Sequence, residues 1–199
     1  MVEFYINGQS VEVKLEDEQT IGDVLKSFEQ TCEENEAAVI GITVDGKQIT
    51  AETFDEEAAK ELGKNTKFEF SVVTKGSIME SFQNLSVLFS SLAEKMEQVP
   101  LEIQSGHNKE VTESIKKLAD SINEFSHIAT LASLFPDTFK EIKINNMDFN
   151  DFFADFSQIL LDFEGALQNN DSVLIGDLCE YEICPRLNSI SSALNFYSI

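Results

Sequence analysis

Arginine is almost missing from this chain of 199 residues, where Arg186 stands alone, and tryptophan is missing altogether. One guanidinium is meagre equipment for clamping phosphate or carboxylate substrates. Histidine is scarce too: His107 and His127 have no second His or Cys three or four residues away that would form a metal-ligand pair. No Gly-rich phosphate loop, Gly-x-Ser-x-Gly elbow, Walker signature or dinucleotide fingerprint occurs. Catalysis is therefore not expected, and neither is a cofactor or a metal. Cys32, Cys179 and Cys184 make an odd count without a framework spacing. Five residues apart, Cys179 and Cys184 do not form a redox pair at a helix start, so all three read as reduced, buried small hydrophobes. The opening stretch MVEFYINGQS has neither a basic region nor an apolar one, and no window approaches the roughly 18 apolar residues of a membrane span. A cytoplasmic protein is expected. Basic residues are few: 14 stand against 36 acidic ones, a net charge of -22 whose field repels nucleic acid and anionic lipid.

What is abundant is apolar surface, 42% of residues with 16 Phe among them, enough for a core without staples. Two periods divide it. Up to residue 75 the apolar residues alternate, as in half-buried strands. Val2, Phe4 and Ile6 share one side, Asn7-Gly8 turns the chain, and Val11, Val13 and Leu15 share one side again. Asn-Gly supplies the positive φ angles of a tight hairpin turn. Thr20 then caps a helix whose apolar face is Ile21, Val24, Leu25, Phe28 and Cys32. Alternation returns with Ile40, Ile42 and Val44, followed by Asp45-Gly46 and a short strand at Gln48 to Thr50. A weakly helical stretch, Phe54 to Leu62, leads to a last strand with Phe68, Phe70 and Val72 inward.

From residue 76 the period is helical. Ile78, Phe82, Leu85, Phe89, Leu92, Met96, Val99 and Ile103 form one stripe that runs through Pro100, where a kink or a fresh helix is expected. Val111, Ile115, Leu118, Ile122, Phe125, Ala129 and Ala132 predict a second helix ending before Pro136. A third, capped by Asp148, buries Phe149, Phe152, Phe153, Phe156, Leu160, Phe163 and Leu167. The last carries Ile183, Leu187, Ile190, Leu194 and Tyr197, with Leu174, Leu178 and Tyr181 in a shifted phase that a kink at Pro185 would reconcile. Asp148, Asp151, Asp155 and Asp162 fall opposite the Phe stripe and read as a solvated face.

The expected fold class is α+β, with residues 1–75 as one domain and residues 76–199 as an acidic, all-α four-helix bundle of two antiparallel hairpins. The order β-β-α-β-β-(short helix)-β with its two Gly turns resembles the ubiquitin-like β-grasp fold. That resemblance implies two functions to weigh. Sulfur carriers and protein modifiers of this fold need an exposed C-terminal Gly-Gly, whereas here Val73-Thr74-Lys75-Gly76-Ser77 runs on into a helix. The helical domain is similar in size, acidity and hairpin arrangement to small bacterial export chaperones, including those of flagellar subunits. The function expected is a non-catalytic protein-interaction module, adaptor or chaperone-like, for a basic or amphipathic protein segment. Its candidate contact residues are Phe135, Phe139 and Ile142, in and beside a connection without period, and Tyr5 on the open face of the sheet. The alternative is an enzyme with a small-molecule pocket between the domains, using His127 or Tyr181 as polar groups.

Overall fold

A computed structural model describes residues 2–139 and 142–197. The chain is mixed α+β, an N-terminal sheet followed by a helical region, and divides into two compact units, Met1–Ser77 and Ile78–Ile199.

In the first unit β1 (Glu3–Ile6) and β2 (Gln9–Val11) form a hairpin, α1 (Ile21–Glu34) follows, then β3 (Ala37–Val44), β4 (Lys47–Gln48), α2 (Phe54–Ala58) and β5 (Lys67–Thr74). The sheet order is β2-β1-β5-β3-β4, with β1 and β5 parallel and the other pairs antiparallel. Both turns are left-handed as their sequences require: Asn7 and Gly8 have φ of 49° and 80°, and so do Asp45 and Gly46. The first residue of each turn reaches across to β5, Asn7 to Val72 and Asp45 to Lys67. Thr20 caps α1 in a reciprocal box with Asp23, each side chain accepting from the other's backbone N–H. The core gathers Phe4, Ile21, Val24, Leu25, Val44, Phe68 and Phe70, and Phe28 stacks on Phe70 with centroids 3.8 Å apart.

Two expectations need correcting in this unit. Ile40 does not continue the inward alternation of Ile42 and Val44; the register against β5 shifts between Val39 and Gly41, and this bulge leaves Ile40 exposed. The stretch Phe54 to Leu62 is helical only to Ala58. Its second half pairs instead with the approach to α1, where Ile21 N–H donates to Lys60 O (2.9 Å) and Leu62 N–H to Gln19 O (2.8 Å), so the helical ladder cannot continue.

The second unit begins within α3 (Lys75–Gln104), which continues through Pro100, so that no fresh helix starts there. Its inward stripe from Ile78 to Val99 is buried throughout. Then come α4 (Asn108–Ala132), α5 (Phe149–Gln168), α6 (Ser172–Asp177), a π-helical turn (Leu178–Ile183) and α7 (Cys184–Asn195). Phe125 of α4 meets Phe82 and Phe89 of α3 edge-on, and meets Phe149 and Phe153 of α5. Arg186 of α7 reaches Asp155 of α5 at 2.6 Å, while Ser86 and Ser191 exchange hydroxyl-to-carbonyl bonds of 2.9 and 2.8 Å between α3 and α7.

The change of phase in the last helix has a different cause from the one expected. Pro185 stands directly after a π turn inside a continuous helical rod. The π turn upstream supplies one extra residue, and Cys184 N–H donates five residues back to Cys179 O. Inward residues therefore run Ile175, Leu178, Cys179, Ile183, Cys184 and Leu187, leaving Leu174 and Tyr181 exposed. A small hairpin, β6 (Lys143–Ile144) and β7 (Met147–Asp148), also stands in the connection before α5, turning on Asn145 and Asn146 at positive φ.

Candidate functional site

Of the four residues singled out for partner contact, three share a neighbourhood in the second unit. After α4 the chain closes a tight turn in which Thr138 and Phe139 N–H both donate to Phe135 O. That turn carries the Phe139 ring inward, edge-on to Phe82 at 5.5 Å and 6.0 Å from Tyr197. Expected to be open to a partner, Phe139 is only 6% exposed, and Ile142 is buried as well. Phe135, half-buried, meets Phe139 at 6.5 Å. Phe139 and Ile142 help to line a recess of about 390 Å³, together with Ala132, Ser133, Phe149 and Asn150. Lys140 and Glu141 of the same connection lie outside the described residues.

Tyr5 belongs to the first unit and stands on β1 half-buried. The Lys67 ammonium sits 4.6 Å from its ring centroid, and its hydroxyl donates to Glu3 at 3.2 Å. Lys67 also pairs with Glu69 at 2.9 Å, and that hydrogen bond raises the ammonium pKa. This part of the sheet face is thus a ladder of paired charges.

The residues offered as polar groups of an enzyme are dispersed within the second unit. His127 is exposed on α4, and Tyr181 lies 64% exposed in the π turn. Burial pushes the Cys179 thiol up to about 12 and the Cys184 thiol to about 11, so both stay protonated near neutrality. Cys184 donates to Ala93 O at 3.4 Å. Among the described residues no three His, Cys, Asp or Glu side chains are grouped to hold a metal ion.

A second and larger concavity lies in the first unit, between α1 and β3. It measures about 680 Å³ and is mostly apolar: Leu25 and Phe28 come from the helix, Ile42 and Phe70 from the sheet, and Ile49 and Phe54 close one end. Lys26 and Glu29 stand on its helical rim. Phe54 and Ile40 are 41% and 46% exposed there. Beside the groove runs bare backbone. On its inner side β3 pairs with β5 from Ala37 to Val44, but on its outer side β4 reaches only Thr43 and Val44, supplemented by Ile49 N–H donating to Ile42 O. Among the described residues, no strand pairs with the outer edge of Ala37–Gly41.

Sequence reasoning missed this groove because alternation assigns Ile40 to the core. The available signals were Phe54, an aromatic isolated among acidic residues, and Gly41 interrupting an otherwise apolar strand.

Two family descriptions match the chain. Residues 2–74 match the TP0873 N-terminal domain, and residues 80–193 match the Domain of unknown function (DUF8042), so the matched spans fall on the two compact units. An "Uncharacterized protein" of Treponema pallidum (strain Nichols) is 23% identical over 189 residues, spanning 95% of this chain and 94% of that protein. No solved structure matches the chain.

Proposed function

The chain belongs to the family defined by the Domain of unknown function (DUF8042), and we propose that it is a non-catalytic, cytoplasmic interaction module that holds a basic or amphipathic segment of a partner protein in an adaptor or chaperone-like role. The observation that carries this reading is the α1–β3 groove, an apolar trough with an open strand edge on a chain of net charge -22. Apolar walls supply the holding contact, and surrounding carboxylates steer a cationic partner. Three free, buried cysteines suit a reducing compartment.

On this reading the first unit is a ubiquitin-like β-grasp domain. Its support is the sheet order with the parallel β1–β5 pair at the centre and α1 packed on the inward Phe side chains. The second unit is read as a four-helix bundle of α3, α4, α5 and the rod formed by α6, the π turn and α7. Contacts from α3 to α4, α4 to α5, α5 to α7 and α7 back to α3 form a closed ring, as a bundle requires.

The test is affinity capture by the immobilised full chain from lysate of its own source, at low and at high salt, with the retained protein identified. A basic partner whose association slows at high salt supports the module. Retention of no protein, with a small metabolite found in the purified chain by mass spectrometry, would overturn it in favour of an enzyme.

A further inference from the structure

Resting on the interaction reading, we propose that the outer edge of β3 accepts a short extended segment of a partner protein, alternating aliphatic and basic residues, as an added strand. Backbone, pocket and charge each point to this occupant.

The backbone comes first. A strand edge presents unpaired N–H and C=O groups, and proteins ordinarily cover such an edge or guard it with lysine or proline. Ala37-Ala38-Val39-Ile40-Gly41 carries neither guard, and β4, which could have covered it, stops after two residues. A guest strand would lie along the line that a longer β4 would have followed. The bulge at Ile40 limits how many consecutive bonds a guest can make, so a short segment fits and sheet-to-sheet stacking does not.

Alternation supplies the second argument. Successive side chains of an added strand point to opposite sides, so every other one faces the trough made by Leu25, Phe28, Ile49 and Phe54. Those positions call for aliphatic residues.

Charge selects the intervening ones. Glu29 stands on the rim, Glu33 follows one turn along α1, and Asp55 and Glu56 adjoin Phe54, while Glu36, immediately before β3, is already paired with Lys75. Lys26 is the cation on that rim, and carboxylates outnumber lysines more than two to one over Met1–Ser77. The same charge opposes a second copy of this chain, which would bring another -22 to the edge.

The probe is the synthetic peptide acetyl-KVKVKVK-amide, titrated into the isotope-labelled full chain and followed by backbone amide NMR and hydrogen exchange. Expected are saturable shifts at Ala37–Gly41, Phe28 and Phe54, and exchange at the β3 edge slowed by about tenfold or more. Ile40→Lys places a guard on an exposed position and should weaken binding about tenfold with amide dispersion and melting temperature unchanged. The peptide with glutamate in place of lysine, and one N-methylated at alternate residues, should both fail to bind. Equal binding by the N-methylated peptide would overturn strand addition. So would shifts confined to Ile78–Tyr197, the absence of any shift at millimolar peptide, or a dimer in sedimentation that Ile40→Lys dissolves. Should Ile40→Lys lose the peptide yet still capture a partner from lysate, strand addition stands for the peptide and falls for that partner, with the interaction reading intact.

Discussion

Asn7 holds both polar groups of Val72: its side-chain Nδ2 donates to the Val72 carbonyl at 2.9 Å, and its Oδ1 accepts from the Val72 N–H at 2.9 Å. β1 ends at Ile6, so the amide of Asn7 stands in for one more strand residue and prolongs the parallel pairing with β5. The same residue occupies the left-handed region that its turn demands. Asn is one of the few side chains suited to both tasks.

Two substitutions separate them. Asn7→Gly keeps the backbone conformation and loses the two bonds, which should cost about 1–2 kcal/mol. Asn7→Ala also places a less tolerant residue at positive φ and should cost about 1 kcal/mol more. Chemical denaturation of the full chain, followed at amide signals of the sheet, measures both. Equal losses would mean that the turn carries no conformational demand.

Acid should weaken the first unit through Glu57, whose side chain is buried beside two ammonium groups, Lys47 and, at 2.6 Å, Lys60. The hydrogen bond from Lys47, then that from Lys60, hold its pKa below the ordinary 4.5. A carboxyl with a lowered folded value contributes stability that is present above 4.5 and lost as pH falls through the folded value. Glu57→Gln should therefore be less stable than the parent at neutral pH, and the gap should narrow below about pH 4.5. Thermal midpoints of both proteins between pH 7 and pH 3 check this, and a gap that widens in acid would contradict it.

Phe139 should act as core. Truncation to Ala should cost about 3–5 kcal/mol, as for other buried rings, and Phe139→Asp should unfold the second unit outright. Phe135→Ala, at a half-buried position, should cost about half as much. Amide signals of α3 and α5 during denaturation report the outcome. A Phe139→Asp protein with unchanged melting would return the ring to the surface.

Legibility in the sequence follows the range of the forces involved. Thr20 could be read directly as the cap of α1; so could the two Gly turns, since each conformation is decided within two residues. The Phe152, Phe156 and Phe163 stripe was equally plain, because a 20-residue helix repeats its period many times. Other features offer no such repetition. Strands of two residues, as in β6 and β7, have no alternation to detect. Phe139 is buried by where its turn aims it, and Ile40 is exposed by a bulge that depends on the partner strand. The α1–β3 groove follows from how far β4 fails to extend, a property of a neighbour and not of the residues that line it.

The π turn between Leu178 and Ile183 makes the last helix unevenly tolerant of length. Deleting one residue from an ordinary helix swings everything beyond it by about 100° and turns its buried face to water. Within this turn the same deletion would only tighten a five-residue ring to four, leaving Ile175 upstream and Leu187 downstream still facing inward. A one-residue deletion should therefore keep the inward faces in register here, at the expense of placing Pro185 on an ordinary four-residue ladder.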